Sequence, residues 1–198
     1  MASLVLRLPR RPPAATNRTV ADATFVSSEP IFRSDRFDLM RETFTTSDGA
    51  VVRPVIHHPG AVALLAQPDP RSLVLVRQYR YPVRRWTLEI PAGTRVVGEA
   101  PELTASRELQ EEAGYRATRL TELTRFYPAV GVSDEEMILY RAEGLSEVPA
   151  APEHGELVAR EVVALADLPA LMAAGRLCDA KTLIALALIG VPLAGGRP

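Results

Sequence analysis

The chain has 198 residues, 24% of them charged, and a formal net charge of −1, which suits one domain with a sizeable core or a domain plus a small extra sheet. No basic excess is present to hold nucleic acid. The single cysteine, Cys178, rules out an intrachain disulfide and fits a reducing cytoplasm. The longest apolar runs, such as Leu183 to Ile189, fall far short of the roughly 20 residues of a membrane span.

Residues 1–23 carry four arginines, one acid and three prolines. They read as a flexible tail, with an Arg-rich organelle-targeting segment as the alternative. Phe25 to Arg33 and Arg36 to Thr45 then suit two strands, Ser47-Asp48-Gly49 turns the chain, and Val51 to His57 makes a third strand. Pro59-Gly60 breaks the chain before Ala61 to Gln67, a nearly continuous apolar run suited to a strand buried on both faces. Pro68 to Pro70 turns it into Ser72 to Tyr79, and Trp86 to Ile90 is another short strand, stopped by Pro91-Ala92-Gly93. A helix is expected from Pro101 to Ala113, followed by strands at Thr121 to Tyr127, Glu136 to Ala142 and Leu157 to Leu165. Asp167-Leu168-Pro169 opens a helix that ends near Gly175, and Cys178-Asp179 leads into the last one, Ala180 to Ile189. Strands flanking a few helices give an α+β or mixed α/β domain.

Chemistry concentrates in Gly93 to Tyr115, GTRVVGEAPELTASRELQEEAGY. At 100° per residue Glu108, Glu111 and Glu112 fall within an arc of about 100°, while Leu109 and Ala113 lie on the adjoining arc and can face a core. Carboxylates at i+3 and i+4 repel by about 0.2–0.5 kcal/mol per pair, and a hard divalent cation would reverse that penalty. Arg107 sits one turn before Glu111 and can pair with it, Glu99 can reach the same guanidinium, and both read as supports for the ligands. Gly114 suits the left-handed position that closes a helix. A solvated acidic face is the alternative for a bare E-x-x-E-E, but the flanking Gly93, Glu99, Arg107 and Gly114 argue against it.

The spacing G-x5-E-x7-R-E-U-x-E-E-x-G-U, with U apolar or aromatic, resembles the Nudix box at every position. That resemblance implies an α/β/α sandwich around a mixed sheet, with the box as loop-helix-loop. Arg77-Gln78-Tyr79-Arg80, Leu88-Glu89-Ile90-Pro91-Ala92-Gly93, Tyr127 to Glu135 and Gly175 to Thr182 look like the ADP-ribose pyrophosphatase branch. In that branch an N-terminal sheet exchanges between subunits and helps form the adenosine pocket. The resemblance therefore implies a homodimer, with residues 24–58 as the dimerisation sheet and 59–193 as the Nudix hydrolase domain.

The same resemblance implies hydrolysis of ADP-ribose to AMP and ribose 5-phosphate, with Mg2+ or Mn2+ and more than one ion. Glu108, Glu112 and the Ala92 carbonyl are the implied ligands, while Glu111 is either a third ligand or mainly the partner of Arg107. The base is expected in the loop before Leu157, with Glu153 the best match and Glu156 the runner-up. Arg53, Arg77 and Arg80 are the natural phosphate or ribose contacts, given the bidentate fork of arginine. Tyr79 or Phe32 can stack on adenine or serve as a core or interface aromatic. His57 and His58 read as structural. One departure bears on the base: this branch often has glutamate after the matching arginine, whereas here Pro54 follows Arg53. Another nucleoside-diphosphate sugar or a dinucleotide is therefore the alternative substrate. A non-catalytic nucleotide-sugar sensor is a further reading, opposed by the complete set of box carboxylates.

Overall fold

The computed structural model describes residues 22–151 and 157–193. Strands β1 (Thr24–Arg33), β2 (Asp38–Thr46) and β3 (Gly49–His57) form an antiparallel sheet in that order. Ser47 and Asp48 make the two-residue connection between β2 and β3, and Gly49 takes a φ of 113°, open only to a residue without Cβ strain. The pattern suggested that β2 begins at Arg36, but it begins at Asp38 because Ser34 organises the turn before it. The Ser34 hydroxyl accepts the Arg36 and Phe37 N–H groups at 3.3 and 3.1 Å and donates to the Phe37 carbonyl at 2.7 Å.

Next come β4 (Ala61–Ala66), β5 (Ser72–Arg80), β6 (Arg85–Glu89), β7 (Ala92–Thr94) and helix α1 (Pro101–Ala113). Strands β8 (Tyr115–Arg116), β9 (Arg119–Phe126), β10 (Met137–Glu143), β11 (Ser146–Glu147) and β12 (Val158–Ala164) follow. A 3-10 turn at Leu165–Asp167 runs into α2 (Leu168–Ala173), and α3 (Ala180–Leu188) is the last helix. The two- and three-residue strands β7, β8 and β11 are too short to show a period in the sequence.

All six residues of β4 are buried, and the pleat explains how. Ala61, Ala63 and Leu65 pack with Leu73, Leu75, Leu88, Leu139, Leu168, Met172 and Leu186. Val62, Leu64 and Ala66 pack with Val74, Ala105, Leu109, Ile138 and Tyr140. Helices α2 and α3 thus cover one face and α1 the other, which is the expected α/β/α sandwich. Each fully buried leucine in these layers contributes roughly 1.5–3 kcal/mol. Pairing is mixed, since β4 runs parallel to β10 and antiparallel to β7, while β9 runs antiparallel to β10. Strands β12, β5 and β6 make a further antiparallel sheet.

Helix α1 begins with Pro101 in its first turn, where a missing N–H does no harm. It ends at Gly114, whose φ of 65° is left-handed and whose N–H donates to the Gln110 carbonyl at 3.0 Å. Among the described residues no helix is long and apolar enough to cross a membrane.

Candidate active site

Leu109 and Ala113 anchor α1 in the core, which turns Glu108, Glu111 and Glu112 towards a cleft of about 680 Å3. The cleft is lined on its other sides by Arg36, Gln78, Arg80, Ala92, Gly93, Arg95 and Arg107, among others. Glu108 and Glu112 are buried. The Ala92 N–H donates to Glu112 Oε2 at 2.9 Å, so the strand carrying the expected carbonyl ligand is tied to an expected carboxylate ligand. Arg107 Nη1 reaches Glu108 Oε1 at 2.7 Å and Glu111 Oε2 at 2.9 Å. Glu99 accepts the Thr104 hydroxyl at 2.7 Å and acts on Arg107 through its charge. Gly93 is explained by a close approach, because a Cβ there would overlap the Glu108 carboxylate.

Among the described residues, every cleft-lining side chain able to bind a cation offers oxygen, a donor set that suits a hard divalent ion over zinc. Among the described residues the three glutamates do not already converge as a coordination shell. Arg107 and the Ala92 N–H hold the carboxylates instead.

Strand alternation sorts the arginines and aromatics that the sequence offered for substrate. On β5, Gln78 and Arg80 line the cleft, so Arg77 and Tyr79 lie on the opposite face. There Arg77 stacks 4.2 Å above the Trp86 ring, and Tyr79 packs edge-on to Trp86 and Tyr81. Arg53 sits on the exposed sheet and donates to the Val52 carbonyl at 2.9 Å. Of the expected contacts only Arg80 lines this chain's cleft, beside Arg36 and Arg95, which the sequence reading passed over. The sequence of β5 does not choose between the two faces, because Leu73 and Leu75 in step with Arg77 are as buried as Val74 and Val76 in step with Arg80.

Arg80 is held rigidly. Its Nε and Nη2 donate to Glu89 Oε1 and Oε2 at 2.8 and 2.6 Å, the side-on fork of a bidentate pair. Thr87 Oγ1 donates to Glu89 Oε1 at 2.5 Å, and Lys181 Nζ donates to Glu89 Oε2 and to Asp179 Oδ1. Burial alone would raise the Glu89 pKa, but the Arg80 hydrogen bonds and the charges of Lys181 and Arg80 outweigh it and hold the carboxyl at about 2. The only local sign of this cluster in the sequence is a lone acid between Leu88 and Ile90, a buried charge in need of a partner.

His57 and His58 both bond to Asp134, in the loop before β10. His57 Nδ1 meets Asp134 Oδ2 at 2.5 Å and Nε2 meets Glu42 Oε1 at 2.8 Å. These hydrogen bonds, Asp134 first and then Glu42, raise the His57 pKa against a smaller opposing effect of burial. The His58 N–H donates to Asp134 Oδ1 at 2.8 Å, and the Ile56 N–H to the Val132 carbonyl at 2.8 Å. The N-terminal sheet is thereby docked on the loop before β10, and its β1–β2 turn brings Asp35 and Arg36 to the cleft.

Glu153, Glu156 and their neighbour His154 lie outside the described residues. The residues on either side are placed against the cleft walls: the Ala151 N–H donates to the Glu111 carbonyl at 3.2 Å, and the Tyr79 N–H to the Leu157 carbonyl at 3.3 Å.

A model of the NUDIX domain matches residues 56–184. The ADP-ribose pyrophosphatase of Bacillus subtilis is 40% identical over 164 residues, covering 81% of this chain and 89% of that protein. The ADP-ribose pyrophosphatase of Mycobacterium tuberculosis is 40% identical over 137 residues, covering 68% of this chain and 66% of that one. In fold, the chain is similar to the crystal structure of an ADP compounds hydrolase. The TM-score is 0.73 at 24% identity, over 87% of this chain and 94% of the other.

Proposed function

The chain belongs to the Nudix hydrolase family, and we propose that it hydrolyses the diphosphate of ADP-ribose to AMP and ribose 5-phosphate. The cleft carries this reading: carboxylates of α1 stand on one wall and a fixed guanidinium, Arg80, on another. That combination matches a diphosphate, whose charge calls for both cations and bidentate donors. The names of the similar proteins supply the sugar.

Nudix hydrolases act with a divalent metal. Glu108 and Glu112 would hold it here, with Glu111 and the Ala92 carbonyl completing the set, and Mg2+ or Mn2+ in more than one copy suits the all-oxygen donors. When bound, such ions offset phosphate charge and make an attacking water more acidic. The protein's own residues do the rest. Arg80, Arg36 and Arg95 bind and orient the diphosphate, and Arg107 holds Glu108 and Glu111 in register. Glu153 takes a proton from water as its oxygen bonds to phosphorus and the bridging P–O bond breaks, with Glu156 as the second candidate. Support comes from the neighbours of this loop, since Ala151 rests on α1 and Leu157 on β5. Glu153→Gln should lower turnover by roughly 100-fold or more while leaving KM nearly unchanged. Wild-type turnover in that variant, with loss in Glu156→Gln, would reassign the base.

The acting unit is proposed to be a homodimer. β1 pairs with β2 along one edge and exposes Phe25, Val26, Ile31 and Phe32 by about half each, a surface and an edge that invite a second copy. Arg53, Arg77 and Tyr79 would then serve the nucleoside end across that interface. Light scattering should report a dimer at micromolar concentration, and a monomer would refute this assignment. A cytoplasmic setting accords with the lone cysteine.

A second reading, another nucleoside-diphosphate sugar, is favoured by Pro54, which offers neither a carboxylate nor an N–H beside Arg53. A turnover panel of ADP-ribose, ADP-glucose, GDP-mannose, UDP-glucose and diadenosine polyphosphates with Mg2+ separates the two. ADP-ribose as the best substrate, with AMP and ribose 5-phosphate as products, is the expected result.

A further inference from the structure

The chain contains one lysine against twenty-two arginines, and that lysine is buried. Lys181, in the first turn of α3, is 8% exposed and sits between two carboxylates, Glu89 Oε2 and Asp179 Oδ1. A compact ammonium with three donors can enter such a space, whereas a planar guanidinium needs a wider, forked one. Glu89, 1% exposed, is in turn the group that holds Arg80 side-on. With Nε and Nη2 engaged by Glu89, Nη1 of Arg80 is the guanidinium nitrogen without a hydrogen-bond partner among the described residues, and Arg80 lines the cleft.

We propose that Glu89 and Lys181 are positioning residues that set the Arg80 guanidinium towards the substrate diphosphate, coupling α3 to substrate binding. This rests on the assignment of Arg80 as a phosphate contact. Glu89 without Lys181 would have one oxygen, Oε2, bonded by Arg80 alone, and the carboxylate could rotate with its guanidinium. Lys181 fixes that oxygen from the far side, and Asp179 fixes Lys181 while also capping α3 through the Thr182 N–H at 3.1 Å. The next residue works differently: Thr182 Oγ1 accepts the Ile90 N–H at 3.0 Å, holding the backbone that leads to Ala92 rather than Arg80.

The test is a double-mutant cycle on the full chain, with KM and kcat for ADP-ribose and a thermal unfolding curve for each variant. Lys181→Met should raise KM about 10- to 100-fold, the size expected for losing a charge-assisted contact, with kcat changed far less. In an Arg80→Met background the same substitution should add almost nothing, because its effect passes through Arg80. Lys181→Arg should fail to rescue. The single lysine also gives one side-chain signal when lysine is isotope-labelled at Cε, and AMP binding should shift it in the wild type but not in Arg80→Met. If Lys181→Met does not fold, Glu89→Gln replaces it in the cycle, with the same expectation. Additive effects on KM, or a lysine signal indifferent to AMP in the wild type, overturn the inference. An active wild type with unchanged KM in Arg80→Met overturns the Arg80 assignment instead, and no turnover of ADP-ribose by the wild type overturns the proposed function.

Discussion

Gly93→Ala probes the site more sharply than removing a ligand. The new Cβ would overlap the Glu108 carboxylate, so one of the two must move. The obstacle is the far end of a flexible side chain, so the fold yields cheaply. Overpacking a core usually costs about 1–3 kcal/mol; the lower end is expected here, a Tm fall of roughly 2–4 °C for a chain of this size. Function should suffer far more, because Glu108 must swing out of the cleft and its 2.7 Å contact with Arg107 is disturbed. A displacement of about 1 Å in a catalytic group costs on the order of 100-fold, so kcat/KM should fall by at least about that factor. Steady-state turnover with saturating Mg2+, beside thermal unfolding, measures both. In a Glu108→Ala background the glycine substitution should have little further effect on either quantity, since the colliding atoms are gone. Wild-type turnover in Gly93→Ala, or equal losses with and without Glu108, would refute this account of the box glycine.

Chelation with EDTA should abolish activity, and Glu108→Gln or Glu112→Gln should each lower kcat by roughly 100-fold or more at nearly unchanged Tm; activity that persists in EDTA would remove the metal from the mechanism. For His57 the folded-state pKa lies above its ordinary 6.5, so the stabilisation it gains from Asp134 and Glu42 is full below about pH 6.5 and lost as pH rises through the folded value. His57→Gln should flatten the fall in Tm as pH rises above about 6.5, and an unchanged slope would count against the cluster. Glu89 works with the opposite sign: held at about 2 against an ordinary 4.5, it stabilises fully above pH 4.5 and progressively less as pH falls towards 2. Acid unfolding of Glu89→Gln should therefore be less steep in that window than in the wild type.

Much of the fold was legible in the residues because local patterns and global packing agree. The six apolar residues of β4 announce a strand covered on both faces, and Pro101 and Gly114 bracket α1. The carboxylates were equally legible. Glu108, Glu111 and Glu112 share a helix face by spacing alone, and the core contacts of Leu109 and Ala113 aim that face at the cleft. These features depend on neighbours within a few turns, where periodicity carries the information.

The rest of the site depends on residues far apart in the chain, and only the tertiary structure could bring them together. Which arginines meet the cleft follows from the parity of β5 and from the docking of the N-terminal sheet through His57 and Asp134, 77 positions apart. That selects Arg80, Arg36 and Arg95 and leaves Arg53 and Arg77 elsewhere in this chain. Lys181 reaches Glu89 across 92 positions, a pairing fixed by where α3 packs on the sheets rather than by any local spacing. The sequence determined that Glu108, Glu111 and Glu112 share one face because a single helix carries them; the fold decided which arginines meet that face because several sheets had to assemble first.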